Sequence, residues 1–333
     1  MKNLIFILTV MSLLLTGCFE KDERVPPYSG EVTTIEHNIG EYQSYFDLES
    51  NKIISYNAID EWDLGFECGA YGWHIKVNSA NQLFISQTAY SDIEENIVLT
   101  GNEIWKYDAA NGDTDSTAFG SWCDTTVYPM ASKNYVYLAG KNTGNGYFVV
   151  ARIQMVEVDS NKYFFRYCLS GENNVRNAEI FKNDSVNYVY YNLQENIQKN
   201  LEPGKTAYDL IFTPYYDLAY YNGITLPYLV RGVFLNGFNV TACLETQLGF
   251  DEITRADITD FNFSAKQDVI GYDWKDVTVD FAGGTASYDV IPGRVYIIRS
   301  VEGNYYKLRF LSYTLDGING FPRFEYKPVI QTK

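Results

Sequence analysis

The sequence predicts an all-β fold, mostly antiparallel with a few short helices, built as two tandem copies of one β domain. Three observations predict it. The 333 residues include 29 Tyr and 20 Phe, which are strand residues that pack a ring on a pleated surface. Apolar and aromatic runs alternate about short polar turns, and helical periodicity is scarce. Two stretches of the chain also read alike at a spacing near 146 residues.

The chain opens on a segment unlike the rest. Residues 1–17 carry Lys2 and then an apolar run from Leu4 to Leu15, too short to span a bilayer and flanked like a signal peptide. The run ends Leu15-Thr16-Gly17-Cys18, a lipobox, so cleavage is expected to leave Cys18 as an acylated N-terminus. The lipid bilayer is then a partner, with each buried methylene contributing about 0.8 kcal/mol to the anchor. Residues 18–35 form a tether. Its charged start, Phe19-Glu20-Lys21-Asp22-Glu23-Arg24, resembles a signal that sends lipoproteins to the outer face of the outer membrane. Pro26 and Pro27 stiffen it.

The duplication comes next. Tyr45-Phe46-Asp47-Leu48 and Trp62-Asp63-Leu64-Gly65-Phe66 are answered by Tyr190-Tyr191-Asn192-Leu193 and Tyr208-Asp209-Leu210-Ile211-Phe212. Trp122 is answered by Trp274, Tyr147-Phe148-Val149-Val150 by Val295-Tyr296-Ile297-Ile298, and Phe165-Arg166-Tyr167 by Leu308-Arg309-Phe310. A period this long is no solenoid repeat; it implies two copies, each large enough for a core. The expected units are a first domain over 36–172, a linker over 173–187 rich in Asn and Asp, and a second domain over 188–333. Hairpins are expected at 147–158 with 162–169 and at 295–301 with 305–312. Short helices are expected at 194–200 and 249–257.

Composition excludes several functions. A net charge of −16 leaves no basic excess for nucleic acid. The sequence has no GxSxG, HExxH or P-loop, and two His are too few for a general-base network, so no enzyme is expected. Cys68, Cys123, Cys168 and Cys243 show no metal-ligand spacing; bridges and buried thiols both remain open. Tyr215, Tyr216, Tyr220 and Tyr221 form an aromatic patch beside Asn222-Gly223, read as a loop suited to a flat ligand or as sheet-facing packing. Asp184-Ser185-Val186 fits a short O-glycosylation pattern at Ser185.

Further residues carry a family resemblance. Tyr208 to Tyr215, Tyr228-Leu229-Val230-Arg231-Gly232-Val233-Phe234-Leu235-Asn236, Ile270 to Lys275, and the closing runs Tyr305 to Leu311 and Gly320 to Tyr326 are similar to segments of the HmuY-like lipoproteins. The resemblance implies a hand-shaped β domain on a surface lipoprotein that captures haem or a related tetrapyrrole for a TonB-dependent outer-membrane receptor. It also implies two axial His or Met ligands, as haem iron requires. After the signal the sequence offers only His37, His74, Met130 and Met155, and residues 188–333 hold no His or Met. His74, Met130 and Met155 are the candidate ligands, with His37 read as a loop residue. A surface module that binds glycan or protein without haem is the alternative.

Overall fold

The computed structural model describes residues 32–221, 223–280 and 285–330. The signal segment, Cys18 and most of the tether lie outside them. The first copy supplies β1 (Val32–Thr34), β2 (Tyr42–Asp47), β3 (Lys52–Ala58), β4 (Leu64–Glu67), β5 (Ile75–Val77), β6 (Leu83–Gln87), β7 (Cys123–Asp124), β8 (Met130–Ser132), β9 (Val136–Asn142), β10 (Tyr147–Val158), β11 (Lys162–Leu169) and β12 (Arg176–Phe181). The second supplies β13 (Tyr188–Asn192), β14 (Ile197–Lys199), β15 (Leu210–Tyr221), β16 (Ile224–Leu235), β17 (Thr241–Glu245), β18 (Lys275–Asp280), β19 (Thr285–Val290), β20 (Val295–Arg299), β21 (Tyr305–Leu315) and β22 (Ile318–Pro328). Helix among the described residues is confined to three short 3₁₀ turns. The fold is all-β and every strand pair is antiparallel.

The two copies do not fold side by side; they exchange hairpins. The β2–β3 hairpin of the first copy pairs with β15 of the second, in a sheet ordered β16-β15-β2-β3. The β13–β14 hairpin of the second copy pairs with β4 of the first, in a sheet ordered β14-β13-β4-β5. The registers correspond residue for residue. Phe46 lies opposite Leu210, and their sequence equivalents Tyr191 and Leu64 lie opposite each other.

A carboxylate closes each junction, fully buried at Asp209 and partly buried at Asp63. Asp209 Oδ2 accepts the Leu48 N–H at 2.9 Å, and its equivalent Asp63 accepts the Leu193 N–H at 2.8 Å. Each hairpin turns on an Asn at the same place, Asn51 with φ 55° and Asn196 with φ 58°, a left-handed conformation that Asn tolerates better than most residues.

The cores follow this exchange and correct the expected boundaries. One core packs Leu64 to Leu193 around Trp122, Ile153 and Phe165. The other combines Ile35 to Leu48 with Leu210 to Tyr326 around Trp274 and Phe310. Each of the two main cores therefore draws on both 36–172 and 188–333, because each takes strands from the other copy. The expected linker 173–187 contains β12, paired with β11 along its full length. Residues 194–200 are a turn and β14, not a helix, because Asn196 reverses the chain. At 249–257 the helical turn starts only at Arg255 and runs to Asp260.

The two expected hairpins form at the expected places. On β21, Tyr306, Leu308 and Phe310 enter the second core. Lys307 faces the other way and donates to the Ile253 carbonyl at 2.9 Å. That face is covered by a satellite cluster around Phe250, Ile253 and Ile297, so this sheet is packed on both sides.

Candidate functional site

The hairpin exchange leaves a cleft between the copies. One part is a cavity of about 350 Å³ lined by Lys76, Tyr188, Glu202, Lys205, Phe238 and Gln267, among others. The volume falls at the small end for ligand pockets. A second hollow of about 100 Å³ shares Lys76, Tyr188, Tyr190 and Gln267 and continues toward Trp62, Tyr215 and Tyr216.

Strand alternation builds one wall. In β5, Ile75 and Val77 enter the first core while Lys76 faces the cavity. In β13, Val189 and Tyr191 enter that core while Tyr188 and Tyr190 face the cleft. The opposite wall comes from loops. Gln267 N–H donates to the Asn111 carbonyl at 3.0 Å, joining a loop of each copy. This approach needs Gly112. Its φ is +76°, and a Cβ there would lie 2.6 Å from Gln267 Cγ.

The charged groups in this cleft differ in how they are satisfied. Glu202 is buried and accepts from Asn187 N–H at 3.1 Å, Asn187 Nδ2 at 2.7 Å, Tyr188 N–H at 3.0 Å and Tyr208 O–H at 2.8 Å. Burial nonetheless holds its carboxyl above the usual range. Asp108 accepts the Val77 and Ala118 N–H groups at 2.7 and 2.8 Å, and burial pushes it up to about 6. Lys76 Nζ sits 4.0 Å from the Tyr188 ring centroid. Burial lowers its pKa against the pull of Glu202, Asp108 and Glu67. Lys205 Nζ lies 5.0 Å from the Phe238 ring centroid.

The sequence candidates fall in different places. His74 lies just before β5, with Nδ1 2.5 Å from Glu67 Oε2 and its ring tilted against Trp73, the centroids 4.0 Å apart. Its side chain is 12% exposed. Burial raises the Glu67 carboxyl, but the His74 side-chain bond, its charge and the Trp73 and His74 N–H groups outweigh that and hold it low. Met130 begins β8 and packs in the first core. Met155 is fully buried in the same core. His37 stacks on Tyr56 at 3.7 Å.

The aromatic patch is strand, not loop, since all four Tyr belong to β15. Tyr215 packs on Phe234 at 4.2 Å and Tyr216 on Phe84 at 4.8 Å, both buried at the edge of the smaller hollow. The side chains of Tyr220 and Tyr221 lie outside the described residues. Ser185 is exposed in the turn between β12 and β13, its hydroxyl donating to Asn183 Oδ1 at 2.7 Å. The four described Cys are unpaired.

Comparison with known families decides the relationship. The model of the HmuY protein family matches residues 41–326, across both copies. The chain belongs to the HmuY family. The family match is therefore one unit spanning the exchanged copies, and not one unit per copy. No curated protein matches the sequence. Similar solved structures include a Bacteroides vulgatus chain described as an HmuY-like heme binding protein, 9% identical, covering 91% of this chain and 94% of that one, with a TM-score of 0.25. Apo PinO from Porphyromonas gingivitis is 12% identical over 92% of this chain and 100% of that one, TM-score 0.26. An apo HmuY analog from Tannerella forsythia is 10% identical over 91% and 96%, TM-score 0.25.

The candidate ligands of this HmuY-family chain do not form an axial pair. Met130 and Met155 turn into the core, which leaves His74, its Nδ1 bonded to Glu67, with no second His or Met beside it among the described residues. Tyr188, Tyr190 and Tyr215 in the cleft have pKa values held well above the ordinary phenol value by burial, which opposes the phenolate that iron ligation uses.

The sequence reading missed Lys76, Asp108, Glu202 and Lys205. The repeated Asp of Trp62-Asp63-Leu64 and Tyr208-Asp209-Leu210 was visible as a motif, but its role at the junction required the strand exchange. A lone Lys between Ile75 and Val77 was the available signal for the cavity.

Proposed function

We propose that the chain is a non-enzymatic binding protein, anchored through acylated Cys18 on the outer face of the outer membrane, that captures its ligand in the cleft between its two copies. Membership of the HmuY family together with the Tyr-lined cavity supports this reading. The family makes haem or a related tetrapyrrole the first ligand to test, for hand-over to a TonB-dependent receptor. Without a free pair of His or Met, such a ligand is held by aromatic walls and polar contacts, not by two axial bonds. O-glycosylation at the exposed Ser185 belongs to the same surface setting.

Titrating haemin into the purified protein tests this. A Soret shift at micromolar protein that persists in His74→Ala and Met130→Ala is expected. No shift would remove haem from the reading.

A second reading is a surface module for glycan or protein. It is favoured by the β15–β16 hairpin, where Leu218, Leu226 and Tyr228 are 57, 52 and 61% exposed. Loss of binding in a glycan array or pull-down on Tyr228→Ser would support it. An unchanged result with a clear Soret shift would reject it.

A further inference from the structure

Hydrogen-bond satisfaction in the larger cavity is one-sided. Its two carboxylates are held from within the fold: Glu202 takes four hydrogen bonds within 3.1 Å, and Glu67 Oε2 takes His74 Nδ1 and the Trp73 and His74 N–H groups. Its donors are not. Among the described residues neither the Lys76 nor the Lys205 ammonium makes a hydrogen bond or ion pair. Each instead lies against an aromatic ring. The side-chain amide of Gln267, on the same lining, is likewise without a hydrogen bond.

A partly buried ammonium needs an acceptor, from solvent or from a guest, and these two point into the same cavity. Glu202, Asp108 and Glu67 act on the Lys76 charge from beyond ion-pair distance, and among the described residues no carboxylate pairs directly with Lys76 or Lys205, in a protein of net charge −16. About 350 Å³ is the small end of ligand pockets, room for a small guest or for one part of a larger ligand seated along the cleft. The walls Tyr188, Tyr208 and Phe238 offer ring faces and edges to the body of a guest.

We propose that this cavity binds a small organic carboxylate, whose oxygens accept from Lys76, Lys205 and Gln267 while its body packs on the aromatic wall. The inference rests on the reading of the cleft as the ligand site. Charge-assisted bonds of this kind are the stronger class, so the anion should be preferred over its neutral amide by tenfold or more.

The test uses the purified full chain and four probes: benzoate, phthalate, indole-3-acetate and citrate. Each is followed by thermal unfolding and calorimetry beside the corresponding amide. The variants are Lys76→Met with Lys205→Met, the charge-retaining Lys205→Arg, and Ala265→Trp, which places an indole at the cavity lining. At least one carboxylate should bind saturably to the unmodified chain and to Lys205→Arg, and lose at least tenfold in affinity in the double Met variant and in Ala265→Trp. Binding that Ala265→Trp abolishes but the Met variant retains overturns the lysine assignment and leaves the cleft reading standing. Binding that neither variant affects overturns both. No saturable binding by any of the four probes, or equal binding of the amides, overturns the carboxylate proposal, and circular dichroism of each variant establishes that it is folded.

Discussion

Asp209 offers the sharpest test of the hairpin exchange. Its carboxylate is fully buried and accepts backbone N–H groups from Leu48 of the first copy, at 2.9 Å, and Val301 of the second, at 2.8 Å. Burial, with Glu302 and Asp47 nearby, pushes its pKa up to about 7. In the unfolded chain the ordinary carboxylate value near 3.9 applies. The folded state therefore holds the proton more tightly than the unfolded state. Stability from this group is greatest at acid pH and falls as pH rises from about 4 through about 7. Integrated between pH 5 and pH 8, the loss is about 2.5 kcal/mol.

Asp209→Ala removes both acceptors, at a cost of about 1–3 kcal/mol for each buried N–H left unpaired. It also removes the pH-dependent term. The stability gap between the unmodified chain and Asp209→Ala should therefore be about 2.5 kcal/mol larger at pH 5 than at pH 8. Urea unfolding followed by fluorescence of the buried Trp122 and Trp274 at the two pH values measures it. A gap that is independent of pH, or that widens toward pH 8, would refute the reasoning.

Other consequences follow from the packing. Met155→Ala should cost about 2–5 kcal/mol in stability, as a fully buried core truncation, and leave any haemin spectrum unchanged; a lost Soret shift at retained fold would restore Met155 as a ligand. Cys68, Cys123, Cys168 and Cys243 are free, so a reductant should leave the melting temperature unchanged, and thiol titration in denaturant should count all four.

Much of the fold was legible because strand alternation and turn chemistry are local. The 162–169 strand and the Tyr306, Leu308 and Phe310 face needed only a period of two. Of the five ordered matches, the first two fall on strands that pair in corresponding register, Phe46 with Leu210 and Tyr191 with Leu64. Which copy a strand pairs with is not local. Phe46 and Tyr191 carry the same apolar demand in either arrangement, and only the junctions at Asp63 and Asp209 distinguish them. The expected linker failed for the same reason, since the polar surroundings of Arg176–Phe181 suit an exposed edge strand as well as a loop. The site was less legible still. Tyr215 reads as loop from the neighbouring Asn222-Gly223, whereas β15 stays extended as far as Tyr221. Lys76, Glu202 and Lys205 meet only after the exchange has formed the cleft.

The most direct measurement of cleft binding is a haemin titration compared between the unmodified chain and Ala265→Trp. A Soret shift at micromolar protein that Ala265→Trp abolishes is the predicted result. No shift in the unmodified chain, or a shift that survives Ala265→Trp undiminished, would contradict capture of a tetrapyrrole between the two copies.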